Sequence, residues 1–307
     1  MNDITPPSTR ISSGMGGPGI FDNRRLPDRE FSELWDAIIM DAELKDRLLA
    51  HAVLNFTLRP KISRAKLPLH GIILLAGVPG TGKTSLAKGL ASRAADVLGP
   101  ITYLEIDPHS LTSAALGKSQ KAVTELGGRI AEFAGQGKTI VLLDEVETLV
   151  SDRAKLSLEA NPVDVHRATD AALVQLDHLA AEFPQLLFIA TSNFPQAIDA
   201  AFISRADFVL TVPLPNEQAV REILISTLTS LGELFPPVKR LAADPSFSEV
   251  VRACVGLDGR QLRKLVASAC TLDKQTALDP SRLTINDLRR AAAHVQSEGK
   301  ISKGGFK

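Results

Sequence analysis

A glycine-rich octapeptide constrains this chain more than any other sequence feature, because it combines a fixed spacing with a defined place between two elements. The octapeptide GVPGTGKT occupies residues 77–84, directly after the apolar run 71–76 and at the start of a helix-like stretch over 83–98. Its spacing matches G-x-x-x-x-G-K-[S/T], a pattern that is informative where a strand precedes the loop and a helix follows it. The chain therefore contains a strand–loop–helix unit, the building block of sheets that are covered by helices.

The same octapeptide predicts a phosphate-binding loop. Glycines let backbone N–H groups curl around a phosphate, and the helix N-terminus adds the positive end of its dipole. We expect Lys83 to reach the β- and γ-phosphates of ATP, and the Thr84 hydroxyl to hold Mg²⁺. The alternative is a glycine-rich loop with a chance lysine, which the flanking strand and helix disfavour. The expected nucleotide-binding residues of this segment are Gly77, Pro79, Gly80, Thr81, Gly82, Lys83, Thr84 and Ser85.

An acidic pair follows a second apolar strand further along the chain. Asp144 and Glu145 come directly after the run 139–143. The tip of such a strand lies beside the phosphate loop in a parallel sheet, so we expect Asp144 to orient Mg²⁺ through water and Glu145 to polarise the attacking water. Solvated strand ends also carry acids, but the loop upstream favours the catalytic interpretation. Glu147 is either a supporting residue or a charge on a helix surface.

Alternating apolar runs and helix-like stretches predict an α/β fold. Because helices separate the strands, we predict a five-stranded, mostly parallel sheet flanked by helices on both faces. The strand-like runs are 71–76, 101–107, 139–144, 185–193 and 207–212.

The pattern changes to helices alone beyond Pro213 and Pro215, which predicts a separate small helical subdomain. The first residues are rich in proline, glycine and serine and have few large apolar side chains, which is typical of a flexible tail. We therefore expect a tail over 1–27, a large α/β subdomain over 28–212 and a helical lid over 213–307.

Four further polar residues are candidates for the site, and each has an ordinary structural alternative. Asn193 ends the fourth strand, where its amide can bond the γ-phosphate or the attacking water, although such residues usually form turns or helix caps. Arg205 precedes the last strand, where a surface ion pair with Asp207 explains it equally well. Arg260 and Arg263 lie three apart on one helix face and can contact phosphate, although exposed arginines are common on helices.

Together, in this order, these features resemble those of an AAA+ P-loop ATPase. Within that class, DEVETL at 144–149, TSNFPQAIDAAFISRADF at 191–208 and GLDGRQLRKL at 256–265 resemble the pachytene-checkpoint, Trip-thirteen-like ATPases that remodel HORMA-domain proteins. The segment FSELWDAIIMDAELKDRLL at 31–49 follows the same family pattern. The resemblance extends over about 30–300.

This resemblance implies roles that spacing alone does not. Asn193 becomes the sensor 1 residue, Arg205 the finger that reaches the ATP of a neighbouring subunit, and Arg260 the sensor 2 residue, assisted by Arg263. The resemblance also implies a homo-hexamer that pulls a peptide through its pore. An arginine finger supplied in trans contributes ~10³ to 10⁵ in rate, so a monomer is expected to hydrolyse ATP slowly.

The chain departs from the family pattern in two ways. Eukaryotic members carry an N-terminal substrate-adaptor domain, whereas here only the tail over 1–27 precedes the expected ATPase core. Short members of this kind resemble bacterial versions that accompany HORMA proteins and cyclic-oligonucleotide synthases in anti-phage (CBASS) operons, which implies that the chain disassembles a HORMA–synthase complex. The expected pore loop, Ala115, Leu116 and Gly117, lacks the usual aromatic residue, so Leu116 has to supply the grip.

Composition excludes several other classes of protein. The chain has 35 Lys plus Arg against 35 Asp plus Glu, and this balance disfavours bare nucleic acid as a partner. Its two cysteines, Cys254 and Cys270, are too few for a disulfide scaffold or a zinc site. No apolar run approaches the ~20 residues of a membrane helix, and the N-terminus has no apolar leader, so we expect a cytoplasmic protein.

Two other functions fit parts of the sequence. A DNA-directed AAA+ ATPase, clamp-loader-like or initiator-like, is disfavoured by the zero net charge and by the absence of a recognisable DNA-binding module after the lid. A non-catalytic nucleotide-binding scaffold is disfavoured because Lys83, Thr84, Asp144 and Glu145 are all present.

Overall fold

A six-stranded sheet covered by helices organises the larger part of the described chain. The computed structural model describes residues 19–107, 119–148, 150 and 162–304. The strands are β1 Ile20–Leu26, β2 Ile72–Ala76, β3 Ile101–Ile106, β4 Thr139–Leu143, β5 Leu186–Ser192 and β6 Phe208–Thr211. The α-helices are α1 Arg29–Ala37, α2 Ala42–Leu58, α3 Lys83–Leu98, α4 Ser119–Gln136, α5 Pro162–Glu182, α6 Ala200–Ile203, α7 Glu217–Leu234, α8 Pro236–Lys239, α9 Phe247–Ala253, α10 Gly259–Cys270, α11 Lys274–Leu278 and α12 Ile285–Gly304.

The strand order is β1-β3-β4-β5-β2-β6, and every neighbouring pair is parallel except β1 with β3. The α/β fold class and the parallel five-stranded core are therefore confirmed. Strand β5 lies between β2, the strand before the glycine-rich loop, and β4, the strand before the acidic pair. Because parallel strands end at the same edge, the residues that follow β2, β4 and β5 meet there.

Both faces of the four inner strands, β2 to β5, are buried, which explains why these strands are mostly continuous apolar runs rather than alternating ones. Successive residues of a strand point to opposite faces, so Ile73 and Leu75 pack with helices α1, α2 and α3, while Ile72 and Leu74 pack with α4 and α5. The first cluster contains Phe31, Leu48, Leu86, Leu90, Tyr103, Ile140 and Ile189. The second contains Leu104, Leu126, Ile130, Val141, Leu173, Leu176 and Phe188.

Strand β1 corrects the expected N-terminal tail. Residues 20–26 pair antiparallel with β3 at the sheet edge, so the prediction of a flexible segment was wrong for them. Arg24 is only 6% exposed, yet its guanidinium contacts Asp22 at 2.7 Å and Glu30 at 2.8 Å and lies over the Phe31 ring. These partners offset the cost of burying the charge, which allows a polar sequence to form a partly buried edge strand.

Contacts between residues divide the chain into two compact units. The first comprises Met1–Gly77 and Lys83–Val212, and the second comprises Val78–Gly82 and Pro213–Lys307. The second unit is helical apart from the loop segment, and its buried side chains include Val220, Leu224, Leu228, Phe247, Val250, Leu262, Leu265 and Leu288. Among the helices described, none combines the length and the apolar character that crossing a bilayer requires.

A buried arginine ties helix α2 to the sheet. Arg59 is 7% exposed, and its guanidinium donates to the backbone carbonyls of Leu186 and Ala180, the latter at 2.9 Å. Burial lowers the pKa of Arg59 to about 10, which still leaves it charged at neutral pH. Gly71 lies against this group with a φ of +73°, a conformation that side chains disfavour.

Replacing Gly71 by alanine is expected to destabilise the fold by about 3 kcal/mol, since backbone strain adds to overcrowding. The new Cβ would overlap the Arg59 guanidinium and lie 2.8 Å from the Leu186 carbonyl oxygen. Gly99→Ala is the matched control, because Gly99 also has a positive φ, +82°, but has nothing within 4 Å of an added Cβ. Chemical unfolding should show a loss of about 1 kcal/mol for the control. Equal losses in the two variants would contradict the role of Arg59.

Candidate functional site

The lysine of the glycine-rich loop is held at the first residue of helix α3. Lys83 is 5% exposed, and its Nζ donates to the Gly77 carbonyl at 2.8 Å. Gly82, directly before it, has a φ of +87°, which explains why a glycine stands at this bend. A 16-residue helix starts here, so the N–H groups of its first turn and the positive end of its dipole add to the positive charge of the lysine.

Two hydroxyls and one carboxylate join the start of helix α3 to the ends of β4 and β5. The Thr84 hydroxyl donates to Asp144 Oδ1 at 2.8 Å, and the Thr191 hydroxyl donates to the same oxygen at 2.6 Å. The sheet register explains the second contact, since Leu143 pairs with Ala190 and the next residues are therefore neighbours. Thr84 and Asp144 thus present the oxygen ligands that Mg²⁺ prefers.

Glu145 is held in an unusual backbone conformation beside this group. Its φ is +51°, and it is the one non-glycine residue with a positive φ in the described chain. Its N–H donates to the Thr191 hydroxyl at 3.0 Å, and its Oε1 accepts from the Asn193 amide at 2.9 Å. Such conformations cost about 1–3 kcal/mol and persist where surrounding contacts enforce them, often at active sites.

Two supporting residues complete this arrangement. Glu147 accepts from the Asn193 backbone N–H through Oε1 at 3.0 Å, so it holds the residue whose amide contacts Glu145. The sequence left two interpretations of Glu147, and this contact favours a supporting residue over a charge on a helix surface. Thr191 was not identified as a site residue from the sequence. The signal that could have identified it is the polar end TSN of an otherwise apolar strand.

The tip of the glycine-rich loop belongs to the second compact unit. Within that unit, the Arg260 backbone N–H donates to the Gly80 carbonyl at 3.3 Å, and the Thr81 hydroxyl donates to the Val78 carbonyl at 3.0 Å. Asp258 caps helix α10 in a reciprocal capping box with Gln261. The Arg260 and Arg263 side chains are exposed.

Arg205 forms an ion pair with a different acid from the one its sequence suggests. Its guanidinium donates to both Asp177 oxygens, with Nη2 2.7 Å from Oδ2 and Nε 3.0 Å from Oδ1. Hydrogen bonding to Arg205 lowers the pKa of Asp177, and the same bond raises that of Arg205. Asp207 instead accepts from the backbone N–H groups of His70 and Gly71, so the ion pair with Asp207, the structural alternative for Arg205, does not form.

The structure brings most of the candidate residues of the first unit together and separates one from them. Gly77, Lys83, Thr84, Asp144, Glu145 and Asn193 lie at the carboxyl edge of the sheet. Arg205 lies before the first residue of β6, at the opposite edge. The expected pore residues Ala115, Leu116 and Gly117 lie outside the described residues.

The contacts at the carboxyl edge fit a nucleoside triphosphate with Mg²⁺. A buried ammonium and a helix N-terminus suit phosphate, and a hydroxyl and carboxylate sharing a hydrogen bond suit the cation. Glu145 supplies an exposed carboxylate within the same hydrogen-bonded group. The arrangement can therefore bind phosphates and accept a proton from a water molecule beside them.

Comparison with known proteins agrees with this chemistry. Residues 73–214 match the family "ATPase family associated with various cellular activities (AAA)". The chain is 56% identical over 276 residues to CD-NTase-associated protein 6 of Pseudomonas aeruginosa, covering 89% of this chain and 91% of that protein. It is 31% identical over 296 residues to the pachytene checkpoint protein 2 homolog of Danio rerio, covering 88% of this chain and 69% of that protein.

A solved structure with a similar fold comes from a larger assembly. The chain superimposes with a TM-score of 0.74 and 20% identity on a chain of the E. coli MS115-1 HORMA:CdnC:Trip13 complex, covering 90% of this chain and 95% of that one. At this identity the likeness supports the fold.

Replacing Thr191 by valine is expected to reduce the rate of nucleotide hydrolysis about tenfold and stability by about 1–2 kcal/mol. Thr191 is 1% exposed, and losing its hydroxyl leaves the Glu145 N–H without its acceptor and removes one donor to Asp144. Thr191→Ser keeps the hydroxyl and should retain a rate within about threefold of the wild type. Steady-state hydrolysis assays and chemical unfolding compare the two variants. Equal rates in the two variants would contradict the role of the hydroxyl.

Proposed function

The chain belongs to the AAA ATPases, in the group that includes pachytene checkpoint protein 2 and CD-NTase-associated protein 6, and we propose that it is an ATP-driven remodeller of HORMA-domain proteins. As a member of this family it hydrolyses ATP. In the proposed function, the chain works in the cytoplasm as a homo-hexamer, opens a HORMA-domain protein and so disassembles its complex with a cyclic-oligonucleotide synthase. That activity restrains anti-phage signalling.

The observation that carries this proposal is the 56% identity to CD-NTase-associated protein 6, because it extends over 91% of that protein. The name associates that relative with a CD-NTase, and the similar fold in the E. coli assembly occurs beside a HORMA protein and CdnC. The resemblance of 191–208 and 256–265 to the Trip-thirteen-like ATPases supports the same partner.

In the proposed mechanism, the carboxyl edge of the sheet binds the triphosphate. Backbone N–H groups of the loop and the Lys83 ammonium contact the phosphates, so the lysine exchanges its Gly77 carbonyl for a charged partner. Thr84 and Asp144 hold Mg²⁺, which when bound neutralises charge on the phosphate oxygens.

Glu145 acts on the attacking water in this proposal. Its carboxylate accepts a proton from the water, and the Asn193 amide fixes the orientation of that carboxylate before reaction. The Thr191 hydroxyl holds the Glu145 backbone at its strained φ, while Glu147 holds Asn193. These three residues therefore keep the Glu145 carboxylate in a single position, which lowers the reorganisation needed for the reaction.

The arginines are proposed to link hydrolysis to movement and assembly. Arg260, assisted by Arg263, contacts phosphate from the helical part, while Arg205 contacts the ATP of a neighbouring subunit. The position of Arg205 supports its role in trans. The five residues of β2 place the start of the strands, where Arg205 lies, about 16 Å from the carboxyl edge where the same subunit would bind ATP. Leu116, between Ala115 and Gly117, is proposed to grip the substrate in the pore.

The test is to mix the protein and ATP with a preformed complex of a HORMA protein and its cyclic-oligonucleotide synthase. We expect the wild-type protein to separate the two, as measured by size-exclusion chromatography. Glu145→Gln keeps an oxygen for the Asn193 amide but cannot accept the proton, so it should bind ATP, engage the HORMA protein and leave the complex intact.

One outcome of this test contradicts the proposal, and one further measurement tests an alternative. If the wild type and Glu145→Gln leave the complex equally intact while the wild type hydrolyses ATP, the remodelling proposal fails. ATP hydrolysis that rises on addition of DNA and falls steeply with salt would instead support a DNA-directed ATPase.

A further inference from the structure

Asp177 holds the Arg205 guanidinium through two hydrogen bonds, which is more than the single contact that defines an ion pair. The carboxylate accepts from Nε and Nη2 of the arginine, and Nη1 donates to the Ala201 carbonyl at 2.6 Å. The side chains of Arg205 and Asp177 are 24% and 37% exposed, so the pair lies at the surface of the first unit. A bidentate contact restricts the guanidinium to one orientation, which a single bond to a flexible arginine does not.

The hydrogen bonds with Asp177 and Ala201 leave two N–H groups of Arg205 available to bind an anion. A guanidinium carries five N–H donors, and the contacts with Asp177 and Ala201 use one each on Nε, Nη1 and Nη2. The two remaining donors belong to different nitrogens, the arrangement that arginine uses to bind two phosphate oxygens. Asp177 can therefore retain Arg205 while it binds an anion.

Asp177 is itself fixed from its other side. Arg64 Nη1 donates to the Asp177 backbone carbonyl at 3.3 Å, and its Nη2 lies 3.9 Å from Oδ1. His70 Nε2 also lies 3.9 Å from Oδ1, and desolvation, reinforced by the charge of Arg64, lowers its pKa. The neighbouring carboxylate of Asp207 is occupied with backbone N–H groups at the start of β2. The Asp177 carboxylate therefore contacts basic side chains, whereas the Asp207 carboxylate accepts from backbone N–H groups.

We propose that Asp177 is a positioning residue, which holds the Arg205 guanidinium at the subunit surface with two donors directed to the γ-phosphate bound by the neighbouring subunit. This inference rests on the proposed trans role of Arg205 and extends it to a second residue. Its physical basis is entropic: an arginine already held in one rotamer loses less freedom when it binds phosphate in the transition state. Asp177 then acts on turnover and not on ATP binding within its own subunit.

The first test is a double-mutant cycle on the assembled enzyme. Asp177→Asn loses the charge and presents an amide to the guanidinium, so we expect kcat to fall about tenfold with the KM for ATP nearly unchanged. Arg205→Ala is expected to reduce kcat by about 10³. Adding Asp177→Asn to Arg205→Ala should cause no further loss, because the positioned group is gone. Thermal unfolding and size-exclusion chromatography of each variant measure folding and assembly separately.

The second test asks whether the defect acts on a neighbouring subunit. Rings are assembled from a mixture of Asp177→Asn and Glu145→Gln subunits. In some of the contacts, an Asp177→Asn subunit binds and hydrolyses the ATP, and its Glu145→Gln neighbour, which cannot hydrolyse ATP, supplies a correctly positioned Arg205. Turnover per Asp177→Asn subunit should therefore rise severalfold. The matched control replaces the partner by Glu145→Gln/Arg205→Ala, which has no arginine to supply and should give no rise.

The outcomes distinguish the inference from the proposal beneath it. If Arg205→Ala hydrolyses ATP normally, the trans role of Arg205 fails and the inference with it. If Arg205→Ala is impaired while Asp177→Asn is not, the positioning role alone is overturned. An equal loss from Asp177→Asn in both backgrounds, or equal turnover with both mixing partners, also overturns it by showing that Asp177 acts independently of Arg205.

Discussion

The parallel register of β4, β5 and β2 is the constraint on which the site depends. Leu143 pairs with Ala190 and Ala76 with Ser192, so the residues after each strand arrive at one edge without any long-range adjustment. Asp144 consequently lies beside the Thr191 hydroxyl, and Glu145 beside Asn193. A shift of one residue in this register would turn every side chain of a strand to the other face and separate these groups.

The same sheet also keeps two chemical groups apart. The lysine, the hydroxyls and the acids lie where the strands end, whereas the Arg205–Asp177 pair lies where β6 begins. In the proposed function, one edge binds the nucleotide and the other contacts the γ-phosphate bound by a neighbouring subunit. In the proposed ring, successive subunits bring the two edges together, which makes hydrolysis depend on assembly.

The parts that could be predicted from sequence depend on local patterns. The glycine-rich loop, the acidic pair and Asn193 each sit at the end of a recognisable strand, so their meeting follows from the parallel topology. Strand β1 was missed because IFDNRRL has no apolar alternation, and its buried Arg24 is stabilised by Asp22, Glu30 and the Phe31 ring. Asp177 was missed because it lies 28 residues before Arg205, in a helix where an acid carries no signal of its own. Arg59 likewise finds its partners, Ala180 and Leu186, more than a hundred residues away.

In the proposed function, ATP hydrolysis at Glu145 is coupled to the opening of a HORMA-domain protein. Hydrogen exchange of the HORMA protein measures this coupling directly, because transient unfolding exposes backbone amides that are protected in the folded state. With wild-type protein and ATP, we expect faster exchange in a defined segment of the HORMA protein, and no change when Glu145→Gln replaces the wild type. Unchanged exchange during active ATP hydrolysis would contradict the claim.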